Sequence, residues 1–319
     1  MVRASVSVRS FPNAHFPCKL SCFRRLIFPM SPTLKAQCQM QFCVVLWGFT
    51  AILGKLITLP ALPLVWWRML IVVVALMFMP SVWRGLREVP PKLIAAYAGN
   101  GALLSLHWLT FYGAIKLANA SVAATCIAIG PALLALIEPP IARRPFDPRE
   151  LLLGIAMIPG VALVVGGVPQ GMQLGVFVGV ISASTVAVFG AINKRLVEHV
   201  DAPLITLLEL GAGVVFLIPV APLLGQPLPL LTLPDVHDGL LLLALALGCT
   251  LLPFTLYLVA LRHMTGFAAQ VAVNLEPVYT VILAVLLLGE QRELGRAFYC
   301  GVAIIVSSVL AQPLLRRRG

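Results

Sequence analysis

A glutamate followed directly by a proline lies near the middle of a long apolar run in the last third of the chain. An ionisable group inside a bilayer is costly unless it is paired or hydrated, so Glu276 is a candidate functional residue. Its carboxylate could bind a substrate ammonium group or a proton, or it could be a structural acid neutralised by a neighbouring side chain. Pro277 removes a backbone hydrogen bond and clashes with the preceding turn. We therefore expect a break in this helix, with freed carbonyl groups facing a cavity.

Basic and aromatic residues in the first third of the chain are further candidates for substrate binding. Lys55 and Arg68 are expected near the outer ends of the first two apolar runs, where they would meet a substrate carboxylate. The alternative is that both side chains extend to lipid phosphates. His107 stands beside Trp108 and Tyr112, and aromatic faces can hold organic cations or apolar groups. The alternative for His107 is a hydrogen-bonded core residue.

The other acids within or beside apolar runs are assigned structural roles. Glu209 could pair with Lys194 or Arg195. Three acids near the ends of runs are expected to mark the membrane topology or to be solvated: Glu138, Glu290 and Glu293. The seven cysteines contain no CxxC pair, which predicts neither a metal site nor a set of disulfides.

The elements that carry these residues are predicted to be membrane-spanning helices. The 319-residue chain is 60% hydrophobic and only 11% charged, too little charge to cover the surface of a soluble domain. Runs of about 20 apolar residues can cross a bilayer as helices, which satisfy every backbone amide internally. We predict an all-α polytopic membrane protein with ten spans: 39–57, 63–83, 93–115, 119–139, 150–168, 173–193, 203–224, 238–261, 266–289 and 294–315.

The charges of the connecting loops predict the orientation. With both termini in the cytoplasm, twelve basic residues beyond the second span fall on the inside and three on the outside. This asymmetry follows the positive-inside rule and predicts a multi-pass protein of the inner (plasma) membrane. The net charge of +11 therefore indicates a lipid bilayer as partner, not nucleic acid.

Residues 1–38 differ in kind from the rest. They are rich in Ser, Arg and Pro, and no acidic residue precedes Glu88. We predict a disordered extension or a start site assigned too early, with initiation at Met30. The alternative is an organellar transit peptide.

The two halves of the remaining chain are related by an offset of 146 residues. Lys116 then aligns with Arg262, and Gly130-Pro131 aligns with Glu276-Pro277. Each half has five predicted spans, an odd number, so the halves must have opposite orientations. Inverted five-helix repeats are typical of secondary transporters, whose binding site lies near the membrane midplane. Pro131 and Pro277 are the predicted helix breaks.

Two motifs resemble the EamA-type transporters of the drug/metabolite transporter superfamily. The first runs from Trp47 to Lys55 (WGFTAILGK) and is followed by Arg68, and the second runs from Asn274 to Glu290 (NLEPVYTVILAVLLLGE). The resemblance extends from about Met40 to the C-terminus. It implies ten helices in two inverted repeats, residues 39–168 and 171–315, and export or exchange of metabolites such as amino acids. It also makes Asn274 a candidate beside Glu276. The first repeat departs from the pattern, because Arg143-Arg144 replaces the Gly-Glu pair.

The sequence thus predicts a secondary transporter of small metabolites that works by alternating access and needs no cofactor. No GxxxxGK[ST] motif occurs, so direct use of ATP is not expected. The alternative function is an intramembrane enzyme, but HExxH and GxSxG are both absent. A non-transporting scaffold is a third possibility. Gly171, Gly175 and Gly179 form a small-residue face that predicts close packing within the chain, with a homodimer as the alternative.

Overall fold

The computed structural model describes residues 31–166, 168–289 and 295–316, and all regular elements of these residues are helical. The first half contains α1 Pro32–Leu56, α2 Ala61–Met77, α3 Pro80–Glu88, α4 Pro91–Leu117, α5 Ala120–Cys126, α6 Gly130–Ala142 and α7 Pro148–Gly166. The second half contains α8 Gln173–Leu196, α9 Ala202–Leu223, α10 Val236–Leu243, α11 Leu252–Leu261, α12 Gly266–Val273, α13 Glu276–Leu283 and α14 Arg296–Arg316.

Within the described residues, six helical segments are long and apolar enough to cross a membrane, which supports a polytopic membrane protein. They are Pro32–Leu56, Ala120–Ala142, Gln170–Leu196, Ala202–Leu223, Val236–Leu261 and Gly266–Leu288. Helices α4, α7 and α14 occupy three further predicted spans but fall outside this set of six.

The second predicted span, 63–83, is wrong at its C-terminal end. Helix α2 stops at Met77, and α3 continues from Pro80 at an angle of 92°. The residue before a proline is driven out of the helical region. Met79 is accordingly extended, with φ −90° and ψ 114°.

The first helix begins earlier than predicted, at Pro32 instead of Gln39. The Ser31 hydroxyl accepts a hydrogen bond from the Leu34 amide at 3.2 Å, and proline is well suited to the first helical position. Residues 32–38 are therefore helical, which corrects the predicted extension of residues 1–38. Residues 1–30 lie outside the described part of the chain.

Two helical segments are interrupted at corresponding places. The 3-10 turn Ile127–Ile129 separates α5 from α6 just before Pro131. Asn274 and Leu275 separate α12 from α13 just before Pro277. The two interruptions meet, because the Asn274 side-chain amide donates to the Ala128 carbonyl at 3.1 Å. These residues are 146 positions apart, which is the offset between the halves.

Small residues in α8 allow close helix packing within the chain. A Cβ atom at Gly175 would lie 2.7 Å from Ala118, and one at Gly179 would lie 2.9 Å from Cys126. Helix α8 therefore uses these glycines to approach the residues around α5.

Candidate functional site

A central cavity of about 90 Å³ lies between the two halves of the chain. Eight of its lining residues come from the first half: Trp47, Thr50, Arg68, Leu104, His107, Trp108, Phe111 and Ile127. Eight come from the second half: Val186, Phe189, Gly190, Phe254, Tyr257, Gln270, Val273 and Glu276. The lining is largely aromatic, with a few charged and polar groups, as is common for small-molecule sites.

Among the described residues, two basic side chains line this cavity, Arg68 and His107. Arg68 is 2% exposed. Its guanidinium carbon lies 3.8 Å from the centroid of the Trp108 ring, a cation–π contact. Arg68 Nε donates to Thr250 Oγ1 at 2.6 Å, and Nη1 donates to the Tyr112 hydroxyl at 2.8 Å. Among the described residues, Nη2 has no hydrogen-bond acceptor. The charge is thus fixed in position with donor capacity left over.

Glu276 supplies the opposite charge to the same cavity. It is the first residue of α13, directly after the helix interruption, and is 8% exposed. No described side chain or backbone amide hydrogen-bonds to its carboxyl group, and no described basic group lies within the 4.0 Å limit of an ion pair. Arg68 and Glu276 therefore face one cavity without neutralising each other directly.

His107 is both anchored and exposed to the cavity. Its Nδ1 lies 2.8 Å from Ser182 Oγ and 3.0 Å from the Ser182 carbonyl oxygen. The ring also packs against Phe111, with 6.0 Å between centroids. The structure thus combines the two interpretations of His107, a satisfied side chain that also lines the cavity. Ser182 was not identified from the sequence.

The second half contributes an aromatic group that sequence reasoning missed. Phe254 packs against Trp108 with ring centroids 6.4 Å apart, and Tyr257 packs against Trp47 at 5.6 Å. The sequence repeat indicates the positions of Phe254 and Tyr257. Trp108 and Phe254 are 146 positions apart, as are Phe111 and Tyr257. Applying the repeat offset to the first aromatic cluster would have found the second.

The other sequence candidates lie around the cavity but do not line it. Tyr112 stands behind Arg68 and orients it. Asn274 is buried at the junction of the two helix interruptions. Lys55 is exposed, so the structure does not bring it together with the buried Arg68. Pro131 and Pro277 immediately follow the first residues of α6 and α13.

Two structural assignments made from the sequence are wrong. Glu209 does not pair with Lys194, which donates to the Leu261 carbonyl at 2.8 Å. Instead Glu209 accepts a hydrogen bond from the side-chain amide of Asn100 at 2.7 Å. The reason is the helix face, because Asn193, one residue before Lys194 on α8, is the residue that reaches Glu209, whereas the Lys194 side chain extends to the Leu261 carbonyl.

Glu138 is buried, not solvated. It accepts from the backbone amides of Gly266 at 2.9 Å and Phe267 at 2.7 Å, and it pairs with Arg144 at 3.1 Å. Arg144 also pairs with Glu150. Partial burial acts to lower the pKa of Arg144, but the hydrogen bonds and charges of the two glutamates outweigh it and raise the pKa. Glu290 and Glu293 lie outside the described residues.

Comparisons with known proteins agree with this architecture. The sequence pattern of the EamA-like transporter family matches residues 35–166 and 173–311. An uncharacterized transporter of Pseudomonas aeruginosa is 27% identical over 291 residues, covering 86% of this chain and 93% of the relative. A solved crystal structure is similar in fold, with a TM-score of 0.63 at 18% identity over 88% of this chain and 98% of that one.

These matches define the class as membrane transporters. The chain belongs to the EamA-like transporter family, within the drug/metabolite transporter superfamily. The resemblance carried by the two sequence motifs is therefore confirmed, and the family points to a transporter, not an enzyme.

Proposed function

We propose that the chain is a secondary transporter that exports or exchanges small zwitterionic metabolites such as amino acids. The observation that carries this proposal is that Arg68 and Glu276 both line one cavity between the two halves. A carboxylate would bind the free Nη2 of Arg68, and an ammonium group would bind the Glu276 carboxylate. The surrounding aromatic rings would enclose an apolar or aromatic side chain.

Arg68 is arranged for recognition of a planar anion. Its stacking on Trp108 and its bonds to Thr250 and Tyr112 leave one edge of the guanidinium for a ligand. A preorganised donor loses little rotational freedom when the ligand arrives. A site of this kind binds a carboxylate in one orientation.

In this proposal the transporter works by alternating access, in which two inverted five-helix repeats move around the central cavity. Contacts at the helix ends support the repeat. Lys116 donates to the carbonyl of Ile57, and Ile57 is the C-cap residue of the first helix of the first half. Its counterpart Arg262 donates at 3.1 Å to the carbonyl of Val197, which caps the first helix of the second half. A rocking motion of one repeat against the other would open the cavity to each side in turn.

The same proposal includes ten spans and an inner-membrane protein with both termini in the cytoplasm. The loops expected inside contact one another, as Glu138 binds the Gly266 amide and Arg262 binds the Val200 carbonyl at 2.7 Å. A loop expected outside contacts the start of the eighth span, since Asp238 accepts from the Thr58 amide at 2.9 Å.

An intramembrane enzyme is the weaker alternative. Within the described part of the chain, three side chains at the start of α10 are close enough together to hold a metal ion, and they lie outside the cavity lining: Asp235, His237 and Asp238. Glu276 has no second acid beside it in the cavity lining. The lining therefore supplies binding groups for a charged solute and lacks the paired groups of a hydrolase.

Metabolite profiling tests the proposed function without a preset substrate. Cells that express the protein should change their extracellular or intracellular content of one or more amino acids, relative to cells that express Arg68→Ala. Unchanged zwitterionic metabolites together with a change in a different chemical class would overturn the substrate assignment.

A further inference from the structure

A second polar cluster lies away from the central cavity, where α4, α8 and α9 meet. Glu209 accepts from Asn100 Nδ2 on one oxygen at 2.7 Å and from Asn193 Nδ2 on the other at 3.5 Å. All three side chains are at most 1% exposed. None of them lines the central cavity, so the proposed binding site leaves this buried carboxyl group without a role.

The cluster is rich in oxygen and short of positive charge. The side-chain oxygens of Asn100 and Asn193 are buried and have no hydrogen-bond partner within the described residues. No described Lys, Arg or His lies within 4.0 Å of the Glu209 carboxyl group. Unsatisfied buried acceptors and an unpaired buried carboxylate are both costly.

The titratable groups that face Glu209 are tyrosines. Tyr97 on α4 and Tyr257 on α11 interact with it electrostatically. The basic residues of the packed helices point elsewhere. Arg68 binds Thr250 and Tyr112. Lys194, Arg262 and Lys116 bind carbonyl groups at helix ends. The remaining basic residues are exposed: Arg84, Arg87, Lys92 and Arg195.

A half-turn of each asparagine amide would turn its oxygen toward the carboxyl group. The nitrogen and oxygen of an amide have nearly the same shape, so this exchange needs little space. Oxygen atoms from three helices would then surround the carboxyl group, with Asn100 beside one carboxylate oxygen and Asn193 beside the other. Hard cations prefer oxygen ligands of this kind, and a proton would bind the carboxylate and be hydrogen-bonded by an amide oxygen.

An open cavity of about 680 Å³ lies at the start of α4 and α9, two of the helices that carry this cluster. It is lined by Leu93 of α4 and Ala202 of α9, each seven residues before Asn100 and Glu209 respectively (100 − 93 and 209 − 202). Seven residues are two helical turns, or about 10 Å. Between them lies Tyr97, whose hydroxyl group donates to the Leu196 carbonyl at 2.9 Å.

The charge of this second cavity favours cations. Three carboxylates line it, those of Glu88, Glu198 and Asp201. The guanidinium of Arg262 also lines it but is occupied by the carbonyls of Val197 and Val200. Three carboxylates against one guanidinium give the lining a net negative charge, which raises the local concentration of cations.

We propose that Glu209, Asn100 and Asn193 form a binding site for a monovalent cation, H⁺ or Na⁺, which enters through the acidic cavity and is exchanged during the transport cycle. The proposal of a cation-binding site depends only on the geometry of the cluster. The proposal that cation binding is coupled to substrate movement depends also on the proposed transport function.

Cation binding is tested on the purified full-length protein without any substrate. Binding of radiolabelled Na⁺ and the infrared band of protonated carboxyl groups are measured across pH. The wild type should either bind Na⁺ saturably or show a carboxyl band that disappears as pH rises, and Glu209→Gln should lose that signal. Asp147→Asn removes an exposed carboxylate that lines neither cavity and should retain it. A wild type with neither signal, or a signal unchanged in Glu209→Gln, would overturn the site.

A second variant guards against a folding defect in Glu209→Gln. Asn193→Ala keeps the carboxyl group and removes one amide oxygen, so the apparent affinity for the cation should fall without loss of the site. An affinity equal to that of the wild type would show that the amide is not a ligand.

Coupling is tested in proteoliposomes with a radiolabelled amino-acid mixture as the probe. Glu209→Gln should keep exchange of internal for external amino acids and lose accumulation driven by an H⁺ or Na⁺ gradient, and the gradient that drives the wild type identifies the ion. Accumulation by Glu209→Gln equal to that of the wild type would overturn the coupling. Absence of all flux in the wild type would count against the proposed function, and the Na⁺-binding and infrared results would still decide the site.

Discussion

Arg68 shows how much of the site depends on which face of a helix a residue occupies. Helix α2 is apolar almost all round, so hydrophobic periodicity does not tell its buried face from its lipid-facing side. The sequence placed Arg68 near a helix end with Lys55, but the structure separates them. Arg68 contacts Trp108 in the core, whereas Lys55 is exposed. The sequence allowed Arg68 to be either buried or exposed to lipid, but it did not predict which residues Arg68 contacts.

Arg68→Lys should weaken substrate binding although it preserves the charge. A lysine ammonium cannot stack on Trp108 and also donate in the directions of Thr250 and Tyr112. Loss of the desolvated cation–π contact and of the planar donor edge should cost about 2 kcal/mol, or roughly 30-fold in apparent affinity. The measurement is the concentration dependence of amino-acid exchange in proteoliposomes. Lys55→Arg, at an exposed position, is the control and should behave as the wild type.

Glu276→Gln should fold and reach the membrane, because it preserves the shape of the side chain and removes a buried charge. It should impair transport or remove its pH dependence, since the amide cannot bind an ammonium group as a carboxylate does. Exchange is measured across a range of pH, with membrane insertion checked by membrane fractionation and folding by size-exclusion chromatography. Normal transport at every pH would show that Glu276 is structural.

At the scale of elements, the sequence predicted the helix interruptions before Pro131 and Pro277 but not the π-helical turns. The breaks before Pro131 and Pro277 follow from the missing proline amide. The π-helix Ala244–Leu251 was not predicted. It precedes Pro253, and within it Thr250 donates back to the Leu245 carbonyl and accepts from Arg68. An irregular turn thus places the residue that orients Arg68, and π-helical segments are frequent at functional sites.

Glu138 joins two elements that are distant in sequence. It caps the start of α12 from the end of α6 and holds Arg144 in place. Glu138→Ala would leave two backbone amides and a partly buried guanidinium without this acceptor. We expect a loss of stability of about 3 kcal/mol. The thermal unfolding midpoint in detergent should fall clearly, whereas Glu198→Ala at an exposed site should leave it unchanged. Equal midpoints for Glu138→Ala and the wild type would contradict the capping role.

At the scale of the whole molecule, the repeat offset of 146 residues is the sequence feature that best predicts which residues have equivalent contacts. It relates Lys116 to Arg262, and each of these residues binds a carbonyl at the end of the first helix of its own half. It also relates Trp108 to Phe254 across the cavity. Helix packing could not be predicted from the sequence, because nearly every surface of each span is apolar and the partner of each face is set by shape.

The proposed orientation makes a separate prediction for the loops. Single cysteines introduced into a cysteine-free chain at Gln170 and at Leu230 should react with a membrane-impermeant reagent added to intact cells. A cysteine at Asp147 should react only after the cells are opened, because its loop contains the basic Arg143, Arg144 and Arg149. Labelling of the position 147 cysteine in sealed cells would reverse the assignment.

Direct measurement of flux through the purified protein tests the central claim, that Arg68 and Glu276 form one transport site between the two halves. Proteoliposomes loaded with an unlabelled amino-acid mixture are diluted into the same mixture carrying a radiolabel, and uptake is compared with that of protein-free liposomes. The account predicts exchange by the wild type and its loss in Arg68→Ala and Glu276→Ala, with Lys55→Ala unaffected. Exchange that persists in both cavity variants, or no exchange above protein-free liposomes in the wild type, would contradict it.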